Sequence, residues 1–283
     1  MKKLGSFCLS ILLMISTVLL GLRIILTQVL LNGEMYTNIQ QEVKLADAIL
    51  EHVTLDLQTL MRTNNLPEEL VMDLVPLKDV EDAIQLQTIE TIELLKGNNE
   101  VMTELNPEAY IWEIEPRIMT YLNESGYVVG ESGYEDLSQI VNGVYDITKG
   151  NVHIFNIFTL MYSGTVTLIS TMVQFILGTC PIIIGTLILI LYVAIWKSDL
   201  KQMLYWLGSS ILAAGLFGVV MLSQLKNDAV NLSINVAFNQ AITDTINHVH
   251  ELGNILSFYC LLSGICIILL LFLIKMIKNV KKY

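Results

Sequence analysis

Four long apolar runs dominate this chain, at roughly 4–31, 165–196, 203–223 and 253–274. An α-helix needs about 20 apolar residues to cross the hydrocarbon core of a bilayer, so each run is long enough to span. A mean hydropathy of +0.59 agrees with that class and not with an average soluble domain. The charges sort around the runs. Lys2, Lys3, Lys197, Lys201, Lys275, Lys278, Lys281 and Lys282 flank them, with Asp199 as the one acid among these short segments. Residues 33–173 instead carry 23 carboxylates against six bases. Lysine-rich flanks stay on the cytoplasmic side. The expectation is therefore a multi-pass protein of the plasma membrane with both termini cytoplasmic. An acidic outer surface repels phosphate backbones, which argues against a nucleic acid partner.

The fold class expected is an all-α integral membrane protein: four transmembrane helices, with a helical extracytoplasmic domain inserted between spans one and two. Residues 1–32 read as a signal anchor, because Lys2 and Lys3 precede an apolar run that no small-x-small cleavage site follows. Its membrane part is placed at about 4–22, so that Arg23 reaches the outer interface and 24–32 leave the bilayer as helix. Residues 33–173 form the acidic outer domain, and 174–223 hold spans two and three, with Trp196, Tyr205 and Trp206 near the inner surface. Gly178 and Pro181 should kink span two. Residues 224–252 read as an extracytoplasmic helical hairpin, with apolar positions at Leu225, Ala229, Leu232 and Val236. Residues 253–283 are span four and a basic tail.

The clearest periodic signal is Tyr36, Ile39, Val43, Ala46, Leu50, Val53, Leu57 and Leu60, spaced alternately by three and four. That is a heptad stripe. It predicts a long helical stalk continuous with span one over 24–60. Its seam, with Ile39, Val43, Leu50, Val53 and Leu57, is either a coiled-coil dimer contact or a face packed on helices of the same domain. The second reading is preferred, because enough partner helices follow. Pro67 and Pro76 read as boundaries of a short helix. Lys78 to Leu95 reads as the next, closed by Gly97. Pro107 opens another that Pro116 should break or restart and Gly126 should close.

Motifs for chemistry are sparse. Asp244, His248 and Glu251 share one helix face at i, i+4 and i+7, a spacing that can ligate a divalent cation. A solvated helix face explains the same residues, and HVHE is not the HExxH metalloprotease pattern. Cys8, Cys180, Cys260 and Cys266 all lie inside apolar runs and read as small apolar filler. Apart from Arg23, no acid, lysine, arginine or histidine lies well inside a span, whereas proton relays and ion-coupled transport need such groups. Ser170, Ser209, Ser210 and Ser263 have no intramembrane histidine to activate them. Ser210, Ala214 and Gly218 recur every four residues, a face that lets another helix approach closely.

The functional expectation is a non-enzymatic interaction, accessory or sensory protein acting through its outer domain, without a cofactor. It meets membrane lipid and a protein partner, with homo-oligomerisation open. A transporter or channel subunit is the alternative, and a membrane-embedded enzyme is a third reading.

Overall fold

Every regular element among the described residues is a helix, as the absence of alternating strand patterns implies. The structure, a computed structural model, describes residues 2–64, 66–98, 107–126, 131–152, 164–196, 199–224 and 236–280. The helices are α1 (Lys2–Ile25), α2 (Gly33–Glu42), α3 (Leu45–Thr63), α4 (Leu77–Lys96), α5 (Pro107–Glu124) and α6 (Glu131–Val152). They continue with α7 (Gly164–Leu177), α8 (Cys180–Trp196), α9 (Leu200–Ser223) and α10 (Val236–Val280). The chain divides into two compact units. One comprises Met1–Asn32, Leu168–Ala229 and Ile242–Tyr283, and the other Gly33–Thr167 and Val230–Ala241.

The first unit holds most of the membrane-length helices, with Val236–Ala241 of the last one assigned to the second unit. Among the described residues three helices are long and apolar enough to cross a bilayer: Leu4–Leu30, Leu200–Ser223 and Val236–Ile277. A fourth candidate is the pair α7 and α8, bent by 48° where they meet. The bend falls where Gly178 and Pro181 predict it, because Pro181 has no N–H to continue the ladder. In this unit α1 packs against both α8 and α9. Asp199 caps α9, its side chain accepting the Gln202 N–H at 3.3 Å. Trp196, the last residue of α8, is buried against its neighbours.

In α10, residues 236–252 are not a hairpin arm separate from span four. They belong to one unbroken helix with it. At 1.5 Å per residue that helix is about 67 Å long, twice what a hydrocarbon core requires. The hairpin's other arm, with Leu225, Ala229 and Leu232, lies outside the described residues, as does the stretch 153–163 before α7.

The second unit is a helical bundle in which α3 meets α4, α6 and the 3₁₀ turn Glu68–Asp73, while α5 packs on α6. The continuous stalk expected over 24–60 is not formed. Leu26–Leu30 adopts a π turn, in which Leu31 N–H reaches the Leu26 carbonyl at 2.8 Å, and α2 starts afresh at Gly33. A second break separates α2 from α3, where Lys44 takes a left-handed conformation with φ 52°. That break rotates the helix that follows. The buried positions of α3 are Leu45, Ile49, Val53, Leu57 and Met61. Val53 and Leu57 thus lie in the seam as read, with Ile39 buried on α2. Val43 and Leu50 are only half-buried, and Ile49 takes the inner position. Spacing by four winds the buried stripe about 40° per step around the helix, so several neighbours cover it. Val53 and Leu57 have no exposed surface left for a second chain.

Local signals hold elsewhere in this unit. Pro76 precedes α4, and Gly97 ends it at φ 88° with Asn98 N–H bonded to the Glu93 carbonyl at 2.9 Å. Pro116 does not break α5, which runs through it. An α-helix tolerates one missing N–H when packing holds the rest, and Ile118 and Leu122 just beyond it are buried.

Candidate functional site

Polar side chains inside the membrane-length helices are the natural place to look for chemistry, since each must be satisfied without water. Several of them gather along one antiparallel seam between α1 and α8. At about 100° per residue, Ser6, Ser10, Leu13, Ser16 and Arg23 fall on one side of α1. The facing residues of α8 and its approach descend in register: Trp196, Tyr192, Ile188, Gly185 and Gly178. Leu13, Ile188, Tyr192 and Trp196 form the buried apolar centre, with Leu9, Ile195, Met203, Trp206 and Leu207 packed around it.

The polar bonds are built around that centre. The Trp196 indole N–H donates to the Ser6 hydroxyl at 2.7 Å. The Tyr192 hydroxyl donates to the Ser6 carbonyl at 3.2 Å. A phenol has one proton, so Ser10, also bonded to the Tyr192 oxygen, is the donor there. Ser16 reaches the Pro181 carbonyl at 3.5 Å, and Gly185 is small where a Cβ would meet the Ser16 hydroxyl at 2.6 Å. At the far end Arg23 donates to the Gly178 carbonyl at 2.7 Å, a group released by the bend between α7 and α8. These bonds join hydroxyl, phenol, indole, guanidinium and main-chain groups. None is a base that activates a serine at neutral pH, so the seam orients helices. The Trp206 indole nitrogen is buried beside this centre with no hydrogen-bond partner among the described residues. Sequence reading missed Ser6, Ser10 and Ser16. The signal was present as hydroxyls sharing the Arg23 side of a helical wheel.

Ala214 and Gly218 line one groove beside α10, and Ser210 lies one turn before them on α9. Ser210 and Ala214 are buried, and the Ser210 hydroxyl bonds its own helix at the Trp206 carbonyl, 2.7 Å away. Main chain of α9 and α10 is brought together at further small residues. A Cβ on Gly215 would lie 2.8 Å from the Leu261 main-chain nitrogen, and one on Gly264 would lie 2.8 Å from that of Leu212. Such distances leave room for hydrogen alone, so backbones touch here. Gly218 joins this contact against Ser257, and Gly253 against Leu222. Between α1, α9 and α10 a groove of about 160 Å³ is lined by Val18, Gly21, Phe217, Gly218, Leu256 and Cys260, among others.

Asp244, His248 and Glu251 lie on α10. The His248 ring nitrogen Nδ1 bonds the Asp244 main-chain carbonyl at 2.9 Å, and Glu251 is exposed. Among the described residues no group of three or more His, Cys, Asp or Glu is placed to hold a metal ion. Cys8, Cys260 and Cys266 are free thiols. The side chain of Cys180 lies outside the described residues.

Fold and seam together define an all-helical protein with helices suited to a membrane. Comparison with family models, with curated proteins and with solved structures finds no match to the chain.

Proposed function

We propose that this chain is a four-span plasma-membrane protein with both termini in the cytoplasm and residues 33–173 outside. It acts there as a non-enzymatic interaction, accessory or sensory component. The observation that carries this reading is the α1–α8 seam: its polar side chains Ser6, Ser10, Tyr192, Trp196 and Arg23 are engaged with one another and with main chain. Polar side chains used this way fix helix packing and leave recognition to the helical second unit. The charge pattern supports the orientation, since the acids cluster in 33–173 and the lysines flank the spans. The partner is a protein within or outside the membrane, with a second copy of the chain as one form it takes.

Mild-detergent purification of the tagged full-length chain, followed by identification of what stays bound, tests this. A stoichiometric protein partner that is lost when Gly33–Thr167 is replaced by a short linker supports it. Retention of the partner without that unit would overturn the assignment of recognition to it.

One observation favours a second reading, a transporter or channel subunit. The break between α7 and α8 resembles the discontinuous helices that line transport sites. Here the released Gly178 carbonyl is taken by Arg23. Solute flux through proteoliposomes of the pure chain would favour transport over the accessory role.

A further inference from the structure

Arg23 is the only charged residue in the apolar stretch Leu4–Leu30. Its guanidinium gives one terminal N–H to the Gly178 carbonyl at 2.7 Å and is half-buried. No carboxylate among the described residues forms an ion pair with it: the two such pairs join Arg62 to Glu68 and Lys96 to Glu93. A guanidinium carries five N–H donors in a planar fork, so with one bond an edge of the fork has no partner among the described residues. A cation in an apolar wall needs a counter-charge, and no acid of the described chain supplies one.

The position of Arg23 says where that counter-charge comes from. It stands twenty residues beyond Lys3, about 30 Å along a helix, which equals the thickness of a hydrocarbon core. The facing helix, Cys180–Trp196, is about 25 Å long, and Gly178 stands at the bend just before it. Lysines and Trp196 therefore mark one boundary of the bilayer, and Arg23 with Gly178 marks the other. Phospholipid phosphates are the anions at that level. A phosphodiester offers paired oxygens that match the guanidinium fork, which an ammonium cannot match in the same geometry.

We propose that Arg23, oriented by the Gly178 carbonyl, is a phosphate-binding anchor whose free edge takes the phosphodiester of a phospholipid at the boundary remote from the lysines. The inference rests on the membrane-spanning reading above. One guanidinium then ties together α1, the elbow between α7 and α8, and a lipid, so bound lipid stiffens the elbow. Inorganic phosphate offers the same chemistry from a soluble source.

The test uses the full-length chain, purified in a nonionic detergent and stripped of lipid. Thermal unfolding is followed on adding phosphatidylglycerol, diacylglycerol of the same acyl chains, or inorganic phosphate, in wild type, Arg23→Gln and Arg23→Lys. Phosphatidylglycerol should raise the wild-type Tm, and diacylglycerol should not. The phosphatidylglycerol concentration for half the effect should rise about tenfold or more in Arg23→Lys, the equivalent of one lost charge-assisted hydrogen bond. Arg23→Lys keeps a donor for Gly178, so it reads the phosphate even if Arg23→Gln fails to fold. An Arg23-dependent effect of inorganic phosphate as large as that of the lipid would keep the anchor and move its ligand to the soluble phase. An equal lipid response in wild type and both variants, or equal stabilisation by diacylglycerol, would overturn the proposal. Entry of the chain into phosphatidylglycerol vesicles is measured in parallel. If wild type does not enter them, the membrane reading falls as well; entry with an Arg23-independent lipid response removes the anchor alone.

Discussion

Trp196 donates its indole N–H to the hydroxyl of Ser6 across 190 positions of sequence, at 2.7 Å and inside a buried contact. The two residues close one end of the α1–α8 seam, and Arg23 with Gly178 closes the other. Ser6→Ala leaves the indole N–H without that acceptor and should cost about 1–3 kcal/mol. Thermal unfolding in detergent should show this loss. It should show almost none for Thr186→Ala, whose exposed hydroxyl bonds only its own helix at the Ile182 carbonyl. Ser6→Ala combined with Trp196→Phe should cost less than the sum of the two single changes, because both remove the same bond. Strict additivity would mean that the bond contributes nothing.

The α9–α10 contact depends on glycine. Gly215→Ala or Gly264→Ala places a Cβ within 2.8 Å of main-chain nitrogen on the other helix. Each should destabilise by about 1–3 kcal/mol through overpacking. Gly5→Ala and Gly21→Ala meet nothing within 4 Å and serve as controls. Gly218→Leu should likewise disturb packing more than Leu216→Val, since Leu216 is about half exposed. Detergent stability of these variants checks the ranking.

In the second unit the break at Lys44 changes which residues matter. Val53→Asp and Ile49→Asp should each cost about 3–5 kcal/mol, because a carboxylate would enter a sealed apolar contact. Leu50→Asp should cost less, as Leu50 is only half-buried, and Glu51→Ala should be nearly silent. Denaturant midpoints in that order support the rotated face. Leu50→Asp more damaging than Ile49→Asp would restore the heptad reading.

Orientation is open to thiol labelling on intact cells, in a chain with its four cysteines replaced by alanine. Ser138→Cys and Gln240→Cys, both at exposed positions, should react with an impermeant reagent. Lys201→Cys and Lys278→Cys should react only after lysis. Labelling of Lys201→Cys in sealed cells would overturn the topology.

A small acid limb is expected from Glu93. Hydrogen bonds from Lys96, at 2.7 Å, and from Asn98 hold its carboxyl below the ordinary glutamate range. A lowered pKa contributes stability above the unfolded value, and that contribution is lost as pH falls through the folded one. Urea midpoints measured from about pH 6 to about pH 3 should therefore fall slightly more for wild type than for Glu93→Gln. The side chains are well exposed, which keeps the difference small.

What the sequence by itself determined here is local or additive. Run length and hydropathy define the membrane-length helices. Pro76 and Gly97 mark ends because their backbone chemistry acts within one turn. The kink at Gly178 and Pro181 follows from a missing N–H in the same way. Tertiary structure alone decided the rest. Lys44 takes a left-handed φ without a glycine or asparagine to announce it, and that turn exchanges Leu50 for Ile49 in the core. Pro116 stays within α5, although proline disfavours a helix interior. Whether a serine meets lipid or an indole depends on a helix far away in sequence, as with Ser6 and Trp196. The glycines that matter at α9 and α10 are those where two backbones touch, at Gly215 and Gly264, and a spacing of four along one helix does not reveal its partner. Periodicity tells which side of a helix is apolar or polar; only packing tells what lies against it.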